Sequence, residues 1–211
     1  MFSLVVINQH GTTYVIYMYM AKLYLGIDCS STTIGLSLIQ SDNGLFELKD
    51  CKYYKPDKKC DLFESLSKTK KYIIELLKEW NPDVVAIEEI AEFFAPGRST
   101  SKTIIKLATY NRMVGLTVYE ALQKPPVMVN VNTARSILRP KDYSGKLAKE
   151  DVPLVVAAIL KTDFPWKLNK KGKPADENYD MADSIAVALA QAALDIGNVR
   201  KTKTSGKKQI M

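Results

Sequence analysis

Apolar residues alternate with polar ones, or gather in short β-branched runs, over residues 23–28, 32–40 and 45–54, which predicts three strands in quick succession. Ser30-Ser31 separates the first two, and Ser41-Asp42-Asn43-Gly44 separates the second pair. Asn-Gly between alternating runs is a strong hairpin signal, so the three strands should form an antiparallel meander. From 61 to 80 the pattern changes: Leu62, Leu66, Ile73, Leu76 and Leu77 recur among lysines and glutamates, the mark of an amphipathic helix, and Asn81-Pro82-Asp83 stops it. Residues 84–87 form a short apolar run that ends in Glu88 and Glu89, the look of a buried strand whose end opens onto a site.

Helix is predicted over 101–122, a fifth strand over 127–131, a short helix over 133–138, and a longer one over 149–161 that begins near Pro153. Residues 162–177 read as a polar loop and 179–196 as a last, very apolar helix. The order β-β-β-α-β-α-β-α-α predicts an α/β domain with a five-stranded mixed sheet: a meander of three strands, two further strands joined in parallel through crossover helices, and helices on the flanks.

The ends of the chain differ from its middle. Residues 1–19 hold no Lys, Arg, Asp or Glu, and their apolar pieces, 4–7 and 14–19, are broken by Asn8-Gln9-His10-Gly11. Without a basic start this is not a secretory signal, and without arginines it is not a transit peptide. Two readings stand: an extension outside the fold, with Met20-Ala21-Lys22-Leu23 resembling a natural start, or an added edge strand. The domain proper is expected over 20–198. Residues 199–211 carry Arg200, Lys201, Lys203, Lys207 and Lys208 and no acid, the composition of a disordered basic tail. No run reaches the roughly 20 apolar residues of a membrane span, which predicts a soluble protein.

Composition narrows the chemistry. With 30 Lys and Arg against 23 Asp and Glu among 211 residues, the formal charge is 30 − 23 = +7. A basic chain of ordinary hydrophobicity most often has nucleic acid as its partner, with an anionic membrane surface second. His10 is the one histidine, so a His-Glu-x-x-His zinc site is impossible and a Ser-His-Asp or Cys-His site would hang on that residue. Cys29, Cys51 and Cys60 are odd in number and lack C-x-x-C spacing, which fits an intracellular, reducing compartment. A phosphate-binding P-loop and a dinucleotide-binding glycine motif are both missing.

Carboxylates remain. Asp28 closes the first predicted strand and Glu88 the fourth, so on neighbouring strands both would emerge at one edge of the sheet. Asp180 and Asp183, at i and i+3, share one face of the last helix, with Cβ atoms about 5–6 Å apart. Four converging carboxylates without His or Cys repel one another unless hard cations neutralise them. Two such cations about 3.5–4 Å apart can activate water and stabilise the leaving oxygen of a phosphodiester, which is nuclease or nucleotidyl-transfer chemistry. Blander roles exist for each: Asp28 as a turn former at Ser30-Ser31, Asp180 as a helix N-terminal charge, and Glu89 as the alternative to Glu88.

The segments Leu25-Gly26-Ile27-Asp28-Cys29-Ser30-Ser31-Thr32-Thr33-Ile34-Gly35, Ala86-Ile87-Glu88 and Asp180-Met181-Ala182-Asp183-Ser184-Ile185-Ala186 resemble the RuvC-type Holliday-junction resolvases of the ribonuclease H-like superfamily, over roughly residues 23–193. The resemblance implies a ribonuclease H-like fold and Asp28, Glu88, Asp180 and Asp183 as catalytic ligands of two Mg²⁺, with Mn²⁺ able to substitute. It also implies a homodimer whose two sites nick opposite strands of a four-way junction. The apolar residues of the 101–122 helix spread over more than one face, as burial against both sheet and partner would require. The family's wedge aromatic would fall near Ala91 by spacing, so Phe93 and Phe94 are the candidates, with core packing as their plain alternative. Arg98, Lys102, Arg135, Lys146 and Lys149 are candidate phosphate contacts.

Other readings are a nuclease for RNA–DNA hybrids or other branched DNA, and a non-catalytic junction binder. The Gly26-Ile27-Asp28 stretch also resembles the phosphate loop of actin-like and sugar-kinase ATPases, but those need a second such domain, for which 211 residues are too few.

Overall fold

The computed structural model describes residues 2–9, 12–19, 21–90 and 100–205 of the 211. Five strands make one sheet: β3 (Lys22–Cys29), β4 (Ile34–Asp42), β5 (Leu45–Tyr54), β6 (Val84–Glu88) and β7 (Val127–Val129), in the spatial order β5-β4-β3-β6-β7. The β3–β4 and β4–β5 pairs are antiparallel, the β3–β6 and β6–β7 pairs parallel, which is the mixed sheet expected from the sequence. Asn43 and Gly44 both take positive φ at the β4–β5 turn, as an Asn-Gly hairpin requires. Upstream, β1 (Phe2–Gln9) and β2 (Thr12–Tyr19) pair antiparallel with each other in a separate two-stranded sheet rather than joining the edge of the large one.

Helices cover both faces. α1 (Leu62–Trp80) and α2 (Ser101–Leu122) pack on the side of Leu25, Ile27, Leu36, Val85 and Ile87. α3 (Val131–Leu138), α4 (Val152–Leu160) and α5 (Glu177–Ser205) lie on the other, with Tyr24, Ile39 and Ala86. Asp61 caps α1 by accepting from the N–H groups of Phe63 and Glu64, and Asn81 ends it in the left-handed conformation. Among the described residues no helix is long and apolar enough to cross a membrane.

Several boundaries depart from expectation for local reasons. The predicted strand 127–131 stops at Val129 because the Asn130 side chain caps α3, which therefore starts at Val131 rather than 133. The second strand begins at Ile34, not 32, since Ser30 holds Thr32 and Thr33 in a turn. A 3₁₀ turn at Lys149–Asp151 precedes α4. α5 runs on to Ser205, so the first part of the basic stretch assigned to a disordered tail is helical; no Gly or Pro interrupts residues 198–205.

α5 lies on the sheet where two strands lack side chains. A Cβ added to Gly26 would collide with the carbonyl oxygen of Ser184, and one on Gly35 with that of Asp180. These two glycines let the helix backbone approach the strands directly and set the height of Asp180 and Asp183 above them.

Candidate active site

Strand parity decides which side chains meet α5. Leu25 and Ile27 face α1 and α2, so Gly26 and Asp28 face α5; Val85 and Ile87 face α1 and α2, so Ala86 and Glu88 face α5. Because Ile27 pairs with Ile87 in parallel register, Asp28 and Glu88 leave the sheet side by side at the carboxyl ends of their strands. Asp183 reaches them from α5, and one carboxylate oxygen from each of Asp28, Glu88 and Asp183 lies within 4.8 Å of the others. Asp180, one turn earlier, lines the same open cleft of about 290 Å³, together with Ser30, Glu89, Leu107, Asn111, Arg135 and Lys149.

The turn after β3 does not occupy Asp28. Ser30 closes it: its Oγ accepts from the Thr33 N–H at 2.9 Å and donates to the Thr33 carbonyl at 2.7 Å. Glu89, on the alternate parity, is held by its backbone N–H to the Val129 carbonyl at 2.9 Å. The Asn111 amide donates to the Glu88 carbonyl at 2.9 Å and so fixes the end of β6. Sequence reasoning passed over Asn111. A polar residue on the otherwise apolar sheet-facing side of α2, beside Tyr110, Val114 and Val118, was the available signal.

Two cations stand among the carboxylates. Arg135 Nη2 donates to both oxygens of Asp183, at 2.9 and 3.0 Å. Lys149 Nζ lies 3.6 Å from Asp180 Oδ1 and 3.7 Å from Asp183 Oδ2. Both residues were expected at DNA phosphates, and here they sit inside the carboxylate cluster. Lys102 and Lys146 are exposed. Phe93, Phe94, Arg98 and His10 lie outside the described residues.

The electrostatics show incomplete neutralisation. Burial, then the charges of Glu88, Asp183 and Asp180, push the Asp28 carboxyl well above its ordinary range. Burial and Asp183 push Glu88 up to about 7, against the pull of Arg135 and Lys149. Asp180 is raised by burial, with Lys149 opposing. Burial works against the Lys149 charge, but the surrounding carboxylates outweigh it and raise its pKa. Burial first, then the neighbouring Asp28 and Glu88 charges, raise the Cys29 thiol pKa and leave it unreactive. An oxygen-only donor set, clustered and still in excess of its internal cations, fits a hard divalent ion such as Mg²⁺ or Mn²⁺.

Residues 24–191 match the family model described as crossover junction endodeoxyribonuclease RuvC. The RuvC of Prochlorococcus marinus strain MIT 9301 is 27% identical over 167 residues, covering 79% of this chain and 94% of its own length. That of Corynebacterium glutamicum is 26% identical over 167 residues, covering 78% of this chain and 66% of its own. Among solved structures, Thermus thermophilus RuvC in complex with a Holliday junction substrate superposes with a TM-score of 0.62 at 21% identity, over 83% of this chain and 96% of that one. The yeast mitochondrial Holliday junction resolvase also gives 0.62, at 16% identity, over 89% and 85%. The shared architecture is the ribonuclease H-like fold of these resolvases.

Proposed function

The chain belongs to the RuvC family of crossover junction endodeoxyribonucleases, and on that premise we propose that it resolves four-way DNA junctions by paired, symmetric, Mg²⁺-dependent nicks made by a homodimer. The observation that carries this reading is the convergence of Asp28, Glu88 and Asp183 at one end of the sheet, with Asp180 in the same cleft. Asp28, Glu88, Asp180 and Asp183 are the catalytic carboxylates, and would hold two divalent ions. Bound there, the ions would activate the attacking water and stabilise the departing 3′ oxygen, leaving a 5′ phosphate.

The remaining roles belong to the protein itself. Arg135 orients the Asp183 carboxylate by gripping both oxygens, and Lys149 holds positive charge at the mouth of the cleft, where a scissile phosphate enters. Asn111 fixes the strand end that presents Glu88. Such a substrate places the enzyme in a DNA-containing intracellular compartment: a cytoplasm or nucleoid, or the replication site of a virus or phage.

Dimerisation has its own support. On α2, Ile105, Leu116 and Tyr119 are 66%, 55% and 49% exposed. At 100° per residue they fall within about 60° of one another, opposite the face of Tyr110, Val114 and Val118 that covers the sheet. A second copy of the same helix would bury that stripe.

The test is cleavage of a labelled immobile junction with Mg²⁺, beside linear duplex, a fork and an RNA–DNA hybrid, comparing wild type with Asp28→Asn. Paired nicks that ligase reseals, absent in the variant, are expected. Preference for the fork or hybrid would replace the substrate, and a fully active Asp28→Asn protein would sink the assignment of the site.

A further inference from the structure

The stretch between α4 and α5, polar by sequence, is an ordered hairpin. Leu168 and Pro174 form an antiparallel bridge. Asn169 closes the turn: its side chain accepts from the N–H groups of Lys171 and Lys173 at 2.9 and 3.2 Å, its carbonyl accepts from Gly172, and Gly172 takes a φ of +72°. The base is locked by Asn178, which is fully buried. Its Oδ1 accepts from the Lys167 N–H at 2.8 Å, and its amide donates to the carbonyls of Lys167 and Ala175, both at 2.8 Å. Phe164, buried in the core, packs edge-on against Trp166 and ties down the near strand.

This rigid frame displays one sign of charge. Lys167, Lys170, Lys171 and Lys173 are all exposed, residues 164–175 contain no acid, and none of the four lies within ion-pair distance of a carboxylate among the described residues. Two of the four lysines of α1 behave differently: Lys68 pairs with Asp57 and Glu64, and Lys70 with Glu120. Four like charges on a turn whose backbone is pinned by eight hydrogen bonds to two asparagines repel one another, and among the described residues no carboxylate pairs with them to offset that repulsion. An external polyanion would.

The hairpin also has a defined relation to the cleft. Asn178, which clamps its base, lies in the first turn of α5, two residues before Asp180. Four extended residues reach about 13 Å from base to tip, so the lysines project from a base anchored one helical turn before the Asp180 and Asp183 carboxylates.

We propose that the hairpin 166–175 is a backbone clamp for duplex DNA, its four lysines gripping phosphates of the arm that leads away from the cut site. This rests on the reading of the chain as a DNA nuclease, but not on its preference for junctions. Lysines on phosphates carry no sequence information, so the clamp sets affinity and register rather than cleavage sequence.

The test measures binding to an immobile junction and to linear duplex over a range of salt, in an Asp28→Asn background that leaves the DNA uncut. The parent is compared with a K167Q/K170Q/K171Q/K173Q variant and with a K68Q/K70Q/K71Q/K78Q control that removes the same charge from α1. The hairpin variant should bind both DNAs at least tenfold more weakly near 0.1 M salt, with the slope of log K against log salt shallower by about 2–4, since each lost phosphate contact removes about 0.9. Its circular dichroism should match the parent's. Equal losses in the α1 control would mean a net-charge effect and overturn the clamp, as would an unchanged slope. A parent without junction preference whose hairpin variant still loses duplex binding would overturn the resolvase reading and keep the clamp.

Discussion

Arg135 and Asp183 stand 48 residues apart in sequence, and one guanidinium nitrogen of the first donates to both carboxylate oxygens of the second at 2.9 and 3.0 Å. Asp183 is 4% exposed in its side chain, and its other neighbours are the carboxylates of Asp28 and Glu88 and the Lys149 ammonium at 3.7 Å. In the metal-free protein the pair therefore holds together a site that would otherwise push itself apart.

Replacing Arg135 by Gln should destabilise the metal-free protein by roughly 2–4 kcal/mol, because a buried carboxylate loses its main partner. Mg²⁺ should restore part of that loss by taking over the neutralisation. Thermal melts of wild type and variant with EDTA and with Mg²⁺ check this: the variant's gain in Tm on adding Mg²⁺ should exceed the wild type's, and equal gains would show that Arg135 does not share the metal's electrostatic role.

Glu88 gives a pH prediction. Its folded pKa is raised to about 7 by burial and Asp183. A carboxyl whose folded pKa exceeds its unfolded one binds more protons when folded, so its contribution is full below the unfolded pKa and is lost as pH rises through about 7. Metal-free wild type should lose stability between pH 5 and 8, by roughly 1–3 kcal/mol from this group, and Asp28 shifts the same way. Glu88→Gln should flatten the curve, melt higher than wild type at pH 8 without metal, and cut no DNA. Denaturant midpoints at a series of pH values in EDTA would show it.

Much of this site could be read from the sequence, because alternation along a strand and spacing along a helix are local properties. Asp28 and Glu88 end apolar runs, and Asp180 and Asp183 share a helical face, so their convergence needed only the right strand neighbours. What was hidden is tertiary. Arg135 and Lys149 belong to the cluster because α3 and the turn before α4 pack over α5, which no periodicity reveals. The lysine hairpin escaped notice because its ladder is a single bridge and its order comes from Asn169 and Asn178, side chains that look like loop polarity in sequence.

Gly35 tests how finely the carboxylates are set. It pairs with Asp28 across β3 and β4, and a Cβ there would meet the Asp180 carbonyl. Backbone cannot yield as a flexible side chain would, so Gly35→Ala should lift α5 from the sheet, cost about 1–3 kcal/mol or more of stability, and lower cleavage at least tenfold. A calorimetric melt paired with the junction assay decides it; wild-type activity with Ala at this position would mean that the helix height is not what sets the site.

The exposed stripe on α2 gives the last prediction, because it separates the site from the assembly. Ile105 and Leu116 lie on the face turned away from the sheet and from the cleft carboxylates, so charging them leaves the fold's own core intact. Wild type should elute as a dimer by light scattering and an I105K/L116K double variant as a monomer, with an unchanged circular dichroism spectrum. Its four carboxylates remain in place, yet a single site can reach only one strand at a time. Cleavage should therefore shift from paired nicks within one binding event to unpaired single nicks, readable on a supercoiled cruciform plasmid as nicked circles in place of linear product. A variant that still elutes as a dimer would remove α2 as the dimer interface, and linear product at the wild-type rate from a proven monomer would show that paired cleavage does not need the dimer.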